Sequence, residues 1–303
     1  MGWTARDIPD QSGRTAVVTG ANSGLGEVIA RELARRGARV VLACRSEERG
    51  AAAVRRLLAE VPEARAEFRP LDLADLASVR AFAAGLPYDR VDTLVNNAGL
   101  MAVPFARTAD GFETQFGVNH LGHFALTGLL LDRLLAAGRA RVVTMSSMAH
   151  AMANIDIHDL NSAHGYRSWQ AYCRSKTANL LFTHELARRA EGHPLTAVAA
   201  HPGYAATELQ AKGPRLAGSR VRERVMRLTL LVASSADHGA APGLYAATAP
   251  RVAPGAFLGP TRLGTRGAPG PAWRAPWTRH DLAAELLWSE SERLTAVRYG
   301  ALG

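Results

Sequence analysis

Only two cysteines, Cys44 and Cys173, occur in 303 residues. They lie far apart inside apolar stretches, which excludes a disulfide framework or a cysteine metal cluster and fits a reducing, cytoplasmic compartment. No apolar run is long enough to span a bilayer. The segment Leu121 to Leu131 stops at Asp132, and Met1 to Gly13 is polar with no apolar centre, so neither a membrane partner nor a secretory leader is expected. Aromatic residues are sparse, at 6%, and the net charge of +9 is not interleaved with them. It comes mainly from scattered arginine, without the footprint of a nucleic-acid platform, and no nucleic-acid partner is expected. The densest basic cluster, Arg220, Arg222, Arg224 and Arg227, reads at helical spacing as a solvated face, with contact to an acidic substrate or membrane as the rival. His120, His123, His150, His158, His164 and His201 lack ligand spacing, so no metal site is expected.

Apolar residues make up 48% of the chain, enough for a full-sized core. Nothing resembles a linker, and residues 1–303 are read as a single domain. Short β-branched runs alternate with amphipathic stretches from Thr15 onward, the pattern of an α/β, doubly wound parallel sheet with helices on both faces. Strands are predicted at Thr15–Thr19, Arg39–Ala43, Ala66–Pro70, Thr93–Asn96, Arg141–Met145, Thr196–Ala200 and Ala256–Leu258. Crossover helices are predicted at Gly26–Arg36, Glu47–Glu60, Asp75–Ala84 with Asp75 as N-cap, Phe112–Ala137 and Trp169–Arg189. Pro250 to Pro276, dense in glycine, proline and arginine, reads as a surface excursion before a terminal helix at Asp281–Leu294.

The turn Thr19-Gly20-Ala21-Asn22-Ser23-Gly24-Leu25-Gly26 follows a strand and opens a helix. Glycines there let the backbone turn sharply and approach a pyrophosphate, which the helix N-terminus attracts through unpaired amides and its dipole. After the second strand an acid would hold the ribose 2′-hydroxyl of NAD, whereas an arginine would take the 2′-phosphate of NADP. Arg45 stands there with a planar bidentate donor, favouring NADP(H) over NAD(H). Glu47 and Glu48 are the rival acids, although acids also suit the start of the next helix.

The Gly-x-x-x-Gly-x-Gly spacing resembles the short-chain dehydrogenase/reductase family and implies a Rossmann-like fold. Further pieces are similar: Asp72-Leu73, implying adenine contact; Asn96-Asn97-Ala98-Gly99, implying sheet stabilisation and cofactor approach; and Tyr172-Cys173-Arg174-Ser175-Lys176, at the family's Tyr-x-x-x-Lys position. The cofactor set so implied is Gly20, Asn22, Ser23, Gly24, Leu25, Gly26, Arg45, Asp72, Leu73, Asn97, Ala98, Gly99, Tyr172, Lys176, Pro202, Gly203 and Thr207. The catalytic set is Asn119, Ser147, Tyr172 and Lys176.

Tyr172 and Lys176 lie four apart, on one helical face. An ordinary phenol titrates near pH 10, and a neighbouring ammonium favours phenolate, so a lowered Tyr172 pKa is expected. For the substrate oxygen, a hydroxyl after the fifth strand suits developing charge, and the resemblance implies Ser147 rather than Ser146, with Ser146 as a supporting neighbour. Asn119 resembles the family asparagine that holds a water in a proton relay, its alternative being a buried amide bonded to backbone.

The stretch Ser146-Ser147-Met148-Ala149-His150 through Asp159-Leu160 to Tyr172, then Asn179-Leu180-Leu181-Phe182, resembles the retinol dehydrogenase-like branch. The hydrophobic anchor of its animal members has no counterpart before Gly13. The resemblance implies interconversion of a carbonyl (ketone or aldehyde) and an alcohol. The loop at 148–170, with Tyr166 and Trp169, and the segment at 208–233 are expected to line a pocket for a small apolar substrate. Arginine-alanine richness is of bacterial type, so a ketoreductase of secondary metabolism is one expectation. Alternatives are reduction of an activated C=C bond, as in protochlorophyllide reductases, and a non-catalytic NADP-binding redox sensor. The family implies a homodimer or homotetramer paired through Phe112–Ala137 and Trp169–Arg189.

Overall fold

A computed structural model of the chain describes residues 2–203 and 235–302. Thr207, the arginine cluster at 220–227 and the segment at 208–233 lie outside the described residues. Seven parallel strands run β1 (Thr15–Thr19), β2 (Arg39–Cys44), β3 (Arg65–Pro70), β4 (Thr93–Asn96), β5 (Ala140–Met145), β6 (Leu195–Ala200) and β7 (Phe257–Arg262). An eighth, β8 (Arg266–Pro271), pairs antiparallel with β7. The order β3-β2-β1-β4-β5-β6-β7-β8 reverses direction between β1 and β4, and such a switch opens a crevice at the carboxyl ends of the strands.

Alternation along the central strands builds a core on each face. Val17, Val41, Leu94 and Val142 enter one, and Val18, Leu42, Val95 and Val143 the other. The second core is roofed by α1 (Gly24–Arg35), α2 (Glu47–Glu60) and the helix Ala236–Thr248. The first packs under α3 (Leu76–Gly85), whose N-cap Asp75 accepts from the Ala77 and Ser78 amides, as predicted.

The stretch predicted as one helix over Phe112–Ala137 is instead broken. It runs as α4 (Thr114–Phe116), a π-helical turn at Gly117–Leu121, α5 (Gly122–Leu129) and α6 (Leu131–Leu135). Glu113 starts it, accepting the Gln115 and Phe116 amides at 2.8 Å each, so Phe112 lies outside the helix. The seam between α5 and α6 is Leu130, whose φ of −96° and ψ of 2° are not helical. Periodicity could not show the break, because the residues of the π turn are buried all round.

The long helix α7 is Ser168–Arg189; α8 is Ala236–Thr248, which periodicity did not reveal because Pro242 and two glycines interrupt it. A Cβ on Gly243 would lie 3.1 Å from Ile29, so this glycine allows α8 close to α1. The expected excursion over Pro250 to Pro276 is partly the β7–β8 hairpin. Proline in β8 is tolerated because that strand is an edge.

The terminal helix α9 (Asp281–Thr295) packs on α7 and α5: Trp288 stacks on Phe182, and Tyr299, just beyond α9, bonds the Phe124 carbonyl at 2.7 Å. It thereby covers part of the helical face that the family resemblance assigns to subunit pairing. Among the described residues no helix is long and apolar enough to cross a membrane.

Candidate active site

The carboxyl ends of β1, β2 and β4 enclose a cleft of about 270 Å³. It is lined by Gly20, Asn22, Ser23, Gly24, Leu25, Arg45, Asp72, Leu73, Asn97, Ala98 and Gly99, all of them residues singled out in the sequence. Gly20 has φ of +65° and lies so close to Ala98 that a Cβ would meet it at 3.0 Å. Gly26 lets α1 pack on the turn itself, since a Cβ there would sit 2.5 Å from the Gly20 carbonyl oxygen. Ser23, the N-cap of α1, makes no side-chain cap bond, so the first amides of the helix face the cleft without that partner. Narrow backbone approach and open helix amides fit a dinucleotide's pyrophosphate.

Arg45 is exposed, with Nη1 3.8 Å from Asp72 Oδ2. Glu47 and Glu48 fall in the first turn of α2 and are not among the residues lining the cleft. Sequence reasoning missed Ser46 and Arg49, which line it beside Arg45. Arg49 lies in the first turn of α2, four positions after Arg45, a proximity in sequence that could have drawn attention to it.

Thr19 and His123 were also missed. Burial pushes the His123 pKa down to about 4, so its ring is neutral near pH 7. Nδ1 faces the Asn119 carbonyl at 3.1 Å and therefore carries the proton, leaving Nε2 to accept the Thr19 hydroxyl at 2.9 Å. The Thr19 oxygen in turn accepts the Asn97 and Ala98 amides, each at 2.9 Å. This chain fixes the Asn-Asn-Ala-Gly turn to β1 and to the π turn. Ligand-spacing rules could not find a histidine that orients backbone.

Tyr172 is buried, 4% exposed, with the Ser147 side chain close enough to its phenol to favour the phenolate. The Lys176 Nζ lies 5.7 Å from the Tyr172 ring centre and donates to the Met145 carbonyl at 3.1 Å. A Cβ on Gly99 would come within 3.6 Å of that ammonium, which places the lysine beside the cofactor cleft. Ser146 donates to the Lys176 carbonyl at 2.9 Å, tying β5 to α7.

The expected acidification of Tyr172 is not found. Burial raises its pKa to about 12, only partly offset by Ser147, while burial lowers that of Lys176 to about 8. Desolvation outweighs attraction across this distance. The Asn119 side chain is buried. Its Nδ2 donates to the Leu100 carbonyl and Ser175 Oγ, and its Oδ1 accepts the Leu100 amide at 2.7 Å.

Pro202 and Gly203 follow β6. Gly203 has φ of +68°, and a Cβ there would lie 2.7 Å from the Thr265 carbonyl oxygen, so the turn packs beneath the β7–β8 connection. Trp169 is exposed and stands 5.5 Å from the Tyr172 ring. Tyr166, expected in the pocket wall, bonds the Val103 carbonyl at 2.6 Å and accepts from Gln115.

The short chain dehydrogenase family model matches residues 14–215. Human retinol dehydrogenase 12 is 41% identical over 302 residues, covering 98% of this chain and 91% of that protein. A crystal structure of an uncharacterized protein from Mycobacterium paratuberculosis is 47% identical and superposes with a TM-score of 0.82 over 99% of both chains. A short chain dehydrogenase from Shigella flexneri, crystallised with NADP, is 25% identical with a TM-score of 0.56, covering 74% of this chain and 91% of that one. The chain belongs to the short-chain dehydrogenase/reductase family. Within it, the similarity places the chain in the retinol dehydrogenase-like branch of these oxidoreductases.

Proposed function

We propose that this protein is an NADP(H)-dependent oxidoreductase that interconverts an apolar ketone or aldehyde and the corresponding alcohol. The observation that carries this reading is the buried Tyr172 phenol close to Ser147 and Lys176, with the lysine beside Gly99 in the wall of a cleft that also holds a helix N-terminus.

The nucleotide would lie along Gly20, Asn22, Ser23, Gly24 and Leu25, with Asp72 and Leu73 at the adenine end and Asn97, Ala98 and Gly99 under the nicotinamide half. Arg45 and Arg49 would receive the 2′-phosphate, and the NADP carried by the Shigella structure is consistent with that choice. The bound nicotinamide supplies or accepts the hydride.

The protein's own residues manage the proton. Ser147 offers its hydroxyl to the substrate oxygen, and Tyr172 donates the phenolic proton to that oxygen as negative charge develops there. A phenol held protonated by burial is the competent acid for reduction. Lys176, with a pKa of about 8, is mostly an ammonium near pH 7 and stabilises the phenolate left behind. Asn119 contributes by bonding the Leu100 backbone and α7, which holds the lysine's surroundings in place. The exposed Trp169 ring beside Tyr172 favours an apolar substrate. Mixing the protein with NADPH and a panel of aldehydes and ketones tests the proposal. Carbonyl-dependent loss of NADPH absorbance is expected, whereas tight NADPH binding without oxidation across the panel would favour a sensor.

A further inference from the structure

At the opposite end of the sheet, a second cavity of about 910 Å³ opens between the start of β6 and β7, the last turns of α7 and the segment at 271–279. None of its residues takes part in the chemistry above. One of them, Arg274, is 8% exposed, yet none of the carboxylates among the described residues forms an ion pair with it.

The bonds of Arg274 are few for a guanidinium with five donors. Nη1 donates to the Gly255 carbonyl at 3.1 Å, Nη2 faces His184 Nδ1 at 3.4 Å, and Nε has no partner. The Nη2 contact makes His184 Nδ1 the acceptor. His184 Nε2 then donates toward Asp281 Oδ1, 2.7 Å away, so this acid reaches Arg274 only through the His184 ring. Burial and the charge of Arg279 both work against the Arg274 cation, whose pKa falls to about 10. Among the described residues lining the cavity, Arg188, Arg251, Arg274 and Arg279 face a single acid, Glu191. Arg188 is already paired with Glu185. The rest of the wall includes the apolar side chains of Val252, Phe257 and Pro271.

A buried cation without an acidic partner is unfavourable unless an anion completes it. We propose that this cavity binds an amphipathic anion, a carboxylate or phosphate head on a short apolar body, with its head on Arg274 and Arg279. The guanidinium fork suits either head bidentately. The proposal does not depend on the carbonyl reading, since the cavity lies away from the nucleotide cleft.

Calorimetric titration with octanoate and with octyl phosphate, and with octanol as the uncharged control, provides the test. One or both anions should bind wild-type protein and Tyr172→Phe alike, and octanol about tenfold more weakly or not at all. Arg274→Gln should weaken the anions about tenfold or more, with its folding checked by circular dichroism. Should Arg274→Gln not fold, Arg279→Gln, at an exposed position, should still weaken them severalfold. Octanol binding as well as the anions, no binding of either anion, or unchanged binding in the arginine variants would overturn the proposal. Loss of binding in Tyr172→Phe would place the anion at the active site and overturn it equally.

Discussion

His150 Nδ1 lies 2.6 Å from the Ser147 carbonyl oxygen, while its Nε2 accepts the Ala275 amide at 3.1 Å. The second contact fixes the tautomer, so Nδ1 bears the proton and donates to Ser147. A fully buried imidazole therefore ties the backbone of the proposed oxyanion donor to the segment that follows β8. His150→Leu removes both bonds and should lower stability by about 1–3 kcal/mol. It should also reduce kcat about tenfold through a displaced Ser147, with NADPH affinity unchanged. His150→Gln should recover part of the rate. Steady-state kinetics beside a urea melt separates the two effects, and unaltered kcat in the leucine variant would exclude the positioning role.

The paired shifts of Tyr172 and Lys176 set the pH behaviour. Tyr172 stays protonated far above neutrality, so the rate of carbonyl reduction should be level from about pH 6 to 8. It should fall above pH 8, as Lys176 loses its proton. For stability the signs are opposite. The folded state holds Lys176 at about 8 against an ordinary 10.5, so it binds fewer protons than the unfolded chain and this contribution rises with pH between those values. Tyr172, raised from 10 to about 12, contributes a decline across its own higher window. A reduction rate that climbs between pH 7 and 9 would contradict the assignment of acid and cation.

Arg45 should govern the choice between the two nicotinamide nucleotides. A hydrogen bond to a charged group contributes about 1.5–3 kcal/mol, and tenfold in affinity is about 1.4 kcal/mol. Arg45→Ala should accordingly raise KM for NADPH about tenfold to a hundredfold and leave KM for NADH nearly unchanged. Equal losses with both nucleotides would assign the arginine to the fold or to the pyrophosphate.

Gly50 on α2 faces the Phe68 ring of β3, and a Cβ there would come within 2.1 Å of the ring. Gly50→Ala gains about 1 kcal/mol of helix propensity but overpacks the contact by about 1–3 kcal/mol. A net fall in the urea midpoint is expected. A higher midpoint would mean that the ring moves aside freely.

Much of this was legible in the sequence because the decisive signals are local. The glycine turn, the Asp75 cap and the seven parallel strands each rest on residues within a few positions of one another. Other features were not. The π turn hides in a stretch buried on all sides, so no polar face marked it. Strand β8, Arg-Gly-Ala-Pro-Gly-Pro, lacks β-branched residues and exists because β7 offers it an edge. Pairing of His123 with Thr19 and of His150 with Ser147 depends on tertiary contact. The Tyr172 shift was misjudged because proximity of Lys176 is visible in spacing, whereas the burial that opposes it is not.

Everything proposed for catalysis converges on one hydroxyl, that of Tyr172. The decisive experiment is Tyr172→Phe, assayed by NADPH titration and by turnover of a carbonyl that the wild-type protein reduces. Affinity for NADPH should be retained while turnover drops by about 10²–10⁴-fold, the usual contribution of a positioned acid. Turnover within a few fold of wild type would show that the proton comes from elsewhere.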